Sequence, residues 1–223
     1  MAVRTDKAIA DLAEKLGEIQ LLDPGERHIF LLWLITRGMT LLGADRPVMV
    51  GGGSVELYTS IHIATGDLDL VVKDIDACVF VLESLGFVRH ENTNHFVNRD
   101  CAMLVELHGK QLFPGEESVE LSYRKSLLRV ISPEDCIVNR LAEYKKHGST
   151  MDLLSSLYIS MLVRERLDFK RLHQRIDEFG LLDYYRLIQD LGRQVVLQHI
   201  GPDEVAGVLI NFIKTGEYRE CAF

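Results

Sequence analysis

The chain has 223 residues, 47% of them hydrophobic and 26% charged, a folded globular composition that excludes a disordered or collagen-like chain. Its 33 acidic against 25 basic residues give a formal charge of -8, which argues against a surface devoted to nucleic acid while leaving room for a local basic groove. The four cysteines, Cys78, Cys101, Cys136 and Cys221, form no C-x-x-C pair and read as reduced thiols of a cytoplasmic protein rather than a zinc site or a disulfide framework.

Residues 5–20 place Ala8, Ile9, Leu12 and Leu16 at helical spacing, which predicts an amphipathic helix. The stretch lacks the apolar core of a secretion signal. Asp23-Pro24-Gly25-Glu26 reads as a capping box opening a second helix that runs to Leu42. In it Asp23 accepts from first-turn amides, Pro24 takes the first helical position and Glu26 reaches back. This helix is apolar on most faces and belongs deep in the fold. Its run over residues 29–35 is far short of the roughly 20 apolar residues that span a bilayer.

A strand is predicted over residues 47–50, then three glycines and a short helix from Ser54. Another strand follows over 68–72, and a helix over 75–85 that stops at Gly86. Strands over 87–90 and 95–98 flank a polar turn around Asn92 and Asn94, and two more cover 102–108 and 127–131. Segment 109–126 is ambiguous, its Gly115-Glu116-Glu117 resembling a loop tip. Ser132-Pro133-Glu134-Asp135 starts a helix, and apolar residues then recur at helical spacing through Ile210 and Phe212, with breaks at Gly148, Leu167-Asp168, Gly180 and Gly201-Pro202. The expected class is α+β: a mixed β-sheet with flanking helices over residues 1–131, then a C-terminal helical bundle over 132–223.

The chemistry concentrates in residues 48–72. In Asp67-Leu68-Asp69-Leu70-Val71-Val72, side chains on a strand alternate faces, so Leu68, Leu70 and Val72 point one way and Asp67 and Asp69 the other. The two aspartates are then roughly 6.5 Å apart along one face, a separation from which two carboxylates converge on a divalent cation. Ahead of them, Gly51-Gly52-Gly53 lead into Ser54 at a helix start. Glycine lets backbone approach a ligand, and a helix N-terminus offers amides to phosphate. No lysine follows for a P-loop, and Glu56 stands where a dinucleotide fingerprint begun at Gly51 needs its last glycine.

With an apolar strand, Gly53-Ser54, twelve intervening residues and Asp67-Leu68-Asp69, the chain resembles the nucleotidyltransferase superfamily of polymerase-beta-like fold. Gly51-Gly52-Gly53-Ser54, Tyr58-Thr59 and Thr65-Gly66-Asp67-Leu68-Asp69 look most like the toxin-type, abortive-infection-related members. Those proteins often carry an arginine just before the threonine, where this chain has His62-Ile63-Ala64.

The resemblance implies a nucleotidyltransferase-like sheet and a magnesium- or manganese-dependent enzyme. It would move a nucleoside monophosphate from a nucleoside triphosphate to an acceptor hydroxyl. Asp67 and Asp69 would hold the metal with a third carboxylate from a later strand. Glu106 in Leu104-Val105-Glu106-Leu107-His108 is the first choice, with Asp100 and Glu120 as rivals. Gly52, Gly53, Ser54 and Thr65 would bind the nucleotide, aided by a basic residue from the helix after the last strand: Arg140, Lys145 or Lys146, with Lys145 the choice and Asp152 orienting one of them. His62 and His108 read as structural. The acceptor is open among an RNA end, a protein hydroxyl and a small alcohol. tRNA would dock on Arg164, Arg166, Lys170 and Arg171 if these form more than a solvated helix face. A toxin role would bring a cognate antitoxin, and no membrane partner is expected. The alternative is a catalytically silent nucleotide-binding or interaction protein of the same fold.

Overall fold

The buried helix and the alternating strands fold together in the first of two compact units, Met1–Ser132 and Pro133–Phe223. A computed structural model of the chain describes residues 2–60, 62–91, 93–200, 204, 205 and 207. Asn92, Gly201-Pro202, Ile210, Phe212 and Cys221 lie outside the described residues. Within them, Cys78, Cys101 and Cys136 are buried and form no disulfide, and no helix is long and apolar enough to cross a membrane.

The first unit opens with α1 (Ala2–Leu16), a 3-10 turn over Gly17–Leu21 and α2 (Pro24–Leu41). The capping box is not formed. The Asp23 side chain makes no cap bond, because the Glu26 amide it would serve already donates to the Asp23 backbone carbonyl at 2.8 Å. From Phe30 to Ile35, α2 is buried on every side, as its uniform hydropathy requires.

Seven strands form one mixed sheet: β1 (Val48–Val50), β2 (Asp67–Val71), β3 (Val88–Arg89), β4 (His95–Asn98), β5 (Met103–Gly109), β6 (Ser118–Tyr123) and β7 (Ser126–Ile131), in the order β3-β4-β5-β2-β1-β7-β6. The pairs β2–β5 and β1–β7 are parallel and the other four antiparallel. Between β1 and β2 lies α3 (Gly51–Tyr58), and between β2 and β3 lies α4 (Ile75–Ser84), which stops at Gly86 with φ +82°. One sheet face supplies Met49, Leu68, Leu70, Val105, Leu107, Leu128 and Val130 to a core shared with α1, α2 and α4. That apolar layer turns the alternate residues of β2 and β5 onto the other face.

Two elements depart from the sequence reading. The short helix begins at Gly51 rather than Ser54, because Gly51 takes φ +55° and reverses strand into helix in one residue. The ambiguous segment contains the edge strand β6, paired with β7 through a two-residue turn at Arg124-Lys125, whose φ values are +44° and +63°. Such a turn ordinarily wants Asn-Gly. Here the Arg124 guanidinium lies 4.5 Å from the centre of the Phe30 ring and ion-pairs with Glu18 at 3.1 Å, contacts that hold a left-handed non-glycine residue in place.

The second unit contains α5 (Pro133–His147), α6 (Thr150–Leu162), α7 (Phe169–Glu178) and α8 (Leu182–Leu197), with the expected stops at Gly148 and Gly180, both at positive φ. Its polar centre is Asp135, fully buried, which accepts from Arg171 at 2.6 Å and Arg175 at 3.2 Å. Arg171 therefore belongs to a buried ion pair rather than to a solvated basic face.

Candidate active site

Backbone register brings the acidic residues together. On parallel neighbours β2 and β5, Asp69 is the partner of Glu106, and Asp67 that of Leu104. On the far side of β5, His95 of β4 is the partner of Glu106. Partners across a sheet share a face, so His95, Glu106 and Asp69 form one row across three strands. Asp67 and His108 lie two residues along from Asp69 and Glu106 on that same face.

Asp69 is the most buried of the group, and both its oxygens are engaged. The Gly52 amide donates to Oδ2 at 2.8 Å, and His108 Nε2 donates to Oδ1 at 2.7 Å. His108 Nε2 is also 3.9 Å from Glu106 Oε1, and His95 Nε2 is 3.2 Å from that same oxygen. Asp67 has its carboxyl pushed above the usual range, first by burial and then by the charges of Asp69 and Glu106. The His108 imidazole is also held above its ordinary value. Its hydrogen bond to Asp69 leads, the charges of Asp69, Glu106 and Asp67 add to it, and burial opposes it. The site is thus a concentration of carboxylates with two imidazoles, His108 and His95, set against it.

The glycine turn is built around Asp69. A Cβ on Gly51 would come within 1.9 Å of Asp69 Oδ2, and one on Gly52 within 2.9 Å of Thr65 Cβ. Gly53 packs on Met49 and Leu68. The Ser54 hydroxyl is buried and donates to the Gly51 carbonyl at 2.7 Å.

Beneath the turn, the connection into β2 is anchored by Glu56. One Glu56 oxygen accepts from the Thr65 amide at 2.9 Å, with the Thr65 hydroxyl at 3.5 Å, and the other from His28 Nδ1 at 3.0 Å. His62 is exposed on that connection.

Within the first unit, the two rivals for the third carboxylate have other surroundings. Glu120, on edge strand β6, pairs with Arg46 at 2.6 Å, and the backbone carbonyl of Asp100, before β5, accepts from Gln20. In the second unit, Lys145 donates to the carbonyls of Phe179 and Gly180, each at 3.2 Å, and Arg140 pairs with Asp152 at 3.1 Å.

Comparison of the chain with protein-family models, with curated proteins and with solved structures yields no match. The donor set itself is suited to a cation. One ligand atom each from Asp69, Glu106 and His108 lies within 4.8 Å of the others, a span that one divalent ion bridges with bonds of about 2.0–2.6 Å. His108, read from the sequence as structural, is brought by the fold against Asp69 and Glu106. The available signal was Glu106-Leu107-His108, a carboxylate and an imidazole two apart on a strand.

Proposed function

We propose that the chain is a metal-dependent nucleotidyltransferase that moves a nucleoside monophosphate from a nucleoside triphosphate to an acceptor hydroxyl. The observation that supports it best is the register pairing of Asp69 with Glu106, with Asp67 on the same face and Asp69 fastened to the glycine turn. Asp67, Asp69 and Glu106 are the residues that would hold the cation, magnesium or manganese. A divalent ion bound there supplies charge neutralisation at the triphosphate and lowers the pKa of the attacking hydroxyl.

The chain's own groups do the rest. Glu106 accepts the proton of the acceptor hydroxyl as general base. The amino end of α3, with Gly52, Gly53 and Ser54, directs the positive end of the helix dipole to the phosphates. Thr65, fixed by Glu56, sets the connection that delivers Asp67. The acceptor is an RNA end, a protein hydroxyl or a small alcohol, and a toxin role would bring an antitoxin.

The test incubates wild type and Asp67→Asn with each labelled nucleoside triphosphate, a divalent ion, and total RNA or cell extract. The expected result is label on one acceptor class, lost in the variant. Equal labelling by Asp67→Asn, or none by wild type, overturns the assignment. The double engagement of Asp69, by Gly52 and by His108, favours a second reading: a nucleotide-binding protein without turnover. A metal-dependent thermal shift with nucleoside triphosphate but no pyrophosphate release would select it.

A further inference from the structure

We infer that His108 is a metal ligand, and that the site therefore takes a first-row transition ion such as manganese in preference to magnesium. This deepens, and rests on, the metal-dependent reading above. Three strands contribute to one patch at one register: His95 from β4, Glu106 from β5 and Asp69 from β2. His108 follows two residues after Glu106 on the same face, its Nε2 2.7 Å from Asp69 Oδ1 and 3.9 Å from Glu106 Oε1. The same nitrogen thus lies against both carboxylates, where an ion held by them would also sit.

Magnesium is a hard ion that wants near-octahedral oxygen and keeps much of its water. Imidazole nitrogen suits zinc, copper, iron and nickel, whereas carboxylate and water suit magnesium and manganese alike. It is therefore the His108 ring that would draw a transition ion to this set, and manganese serves as the paramagnetic member that reads its ligation. His95 fits a supporting role. Its Nε2, 3.2 Å from Glu106 Oε1, orients that carboxylate as outer hydrogen bonds commonly orient metal ligands. The competing role for His108 is that of a cationic placeholder, neutralising Asp69 and Glu106 and leaving when an ion arrives. The two roles predict opposite consequences of removing the ring.

The experiment uses the full chain stripped of metal and titrates manganese and magnesium separately into wild type and His108→Ala, with thermal denaturation as the control for folding. Pulsed electron paramagnetic resonance of the manganese complex reads ligation directly. Wild type should bind manganese at least about tenfold more tightly than magnesium, with an imidazole-nitrogen coupling in its spectrum. His108→Ala should lose that coupling and weaken manganese binding by about 10–100-fold, the scale seen even when groups that merely support a ligand are removed, while changing magnesium binding little. A manganese spectrum without nitrogen coupling overturns the inference. So does unchanged or tighter manganese binding by His108→Ala, or no manganese binding by wild type. The transferase reading stands or falls separately, on whether nucleotide label moves under either ion.

Discussion

The Gly52 amide donates to the Asp69 carboxylate at 2.8 Å, so the first turn of α3 and the middle of β2 are fastened at the point where the acidic residues gather. The bond is possible because Gly51 makes the strand-to-helix reversal at φ +55° with no Cβ in the way of Asp69. Gly51→Ala forces an L-residue into a left-handed conformation, which costs about 1–2 kcal/mol, and pushes the Asp69 carboxylate aside as well. Chemical denaturation should therefore report a loss of at least about 2 kcal/mol, and cation affinity should fall with it. Gly53→Ala is the contrast: its Cβ meets Met49 Sδ at 3.2 Å and Leu68 Cδ1 at 3.4 Å, both at flexible side chains, and alanine favours the helix. Near-wild-type stability for Gly51→Ala would refute the latch.

Under the proposed function, Asp67 should separate turnover from stability. Its carboxyl is raised by burial and by the charges of Asp69 and Glu106, so its ionised form works against the folded state. Asp67→Asn removes that repulsion while keeping the shape. The metal-free variant should melt at or above the wild-type temperature at neutral pH, and transfer should be lost. A lower melting temperature would mean that Asp67 has a structural role.

The face carrying the acids was legible because strand alternation is fixed by geometry. In Asp67-Leu68-Asp69-Leu70, only one face can enter an apolar core, and the same rule turns Glu106 away from Val105 and Leu107. Neighbour relations were not legible, since a parallel pairing of β2 with β5 is set by the path of the whole chain. It is that pairing that gives His108 a carboxylate to face. Strand β6 was hidden for another reason. Its turn rests on Arg124 lying over Phe30, a tertiary contact between residues far apart in sequence, rather than on a turn-forming dipeptide. The capping box failed because a backbone carbonyl competed successfully for the Glu26 amide.

Glu56 should be the costliest polar residue of the first unit to remove. It is buried and serves the Thr65 amide and His28 Nδ1 together, and His28 Nε2 has no partner of its own among the described residues. Glu56→Ala strands the half-buried Thr65 amide and the buried His28 Nδ1 at about 1–3 kcal/mol each, so denaturant unfolding should lose about 2–6 kcal/mol. Glu56→Gln keeps an acceptor oxygen and should lose less. Equal losses for the two variants would show that volume rather than hydrogen bonding matters here.

In the second unit, Asp135→Asn removes the buried anion that Arg171 and Arg175 share, leaving Arg175 its pairing with the exposed Glu178. Breaking one side of a buried ion pair costs about 3–5 kcal/mol, which denaturant unfolding would register. Asp135→Asn with less than about 1 kcal/mol of effect would place the pair in the class of weak surface bridges.

The stability of the metal-free protein should fall as pH rises above 6.5, and His108 should be the reason. Its imidazole is held above the ordinary value of 6.5, chiefly by the hydrogen bond to Asp69, while Asp67, Glu106 and His95 crowd the same patch. The folded state then binds the His108 proton more tightly than the unfolded state does. Between the unfolded and folded values it carries more protons, and the slope of unfolding free energy with pH is negative. The contribution is complete below 6.5 and is lost as pH rises through the folded value. Asp67 acts in the same sense in the acid range, where its raised carboxyl gives up stability as pH climbs from 3.8, so the two effects are separable by window. Melting temperatures of chelator-treated protein across a pH series should decline above 6.5 in wild type and stay flat there in His108→Gln. A variant that declines in parallel with wild type would assign the slope to another group and detach His108 from Asp69 in solution.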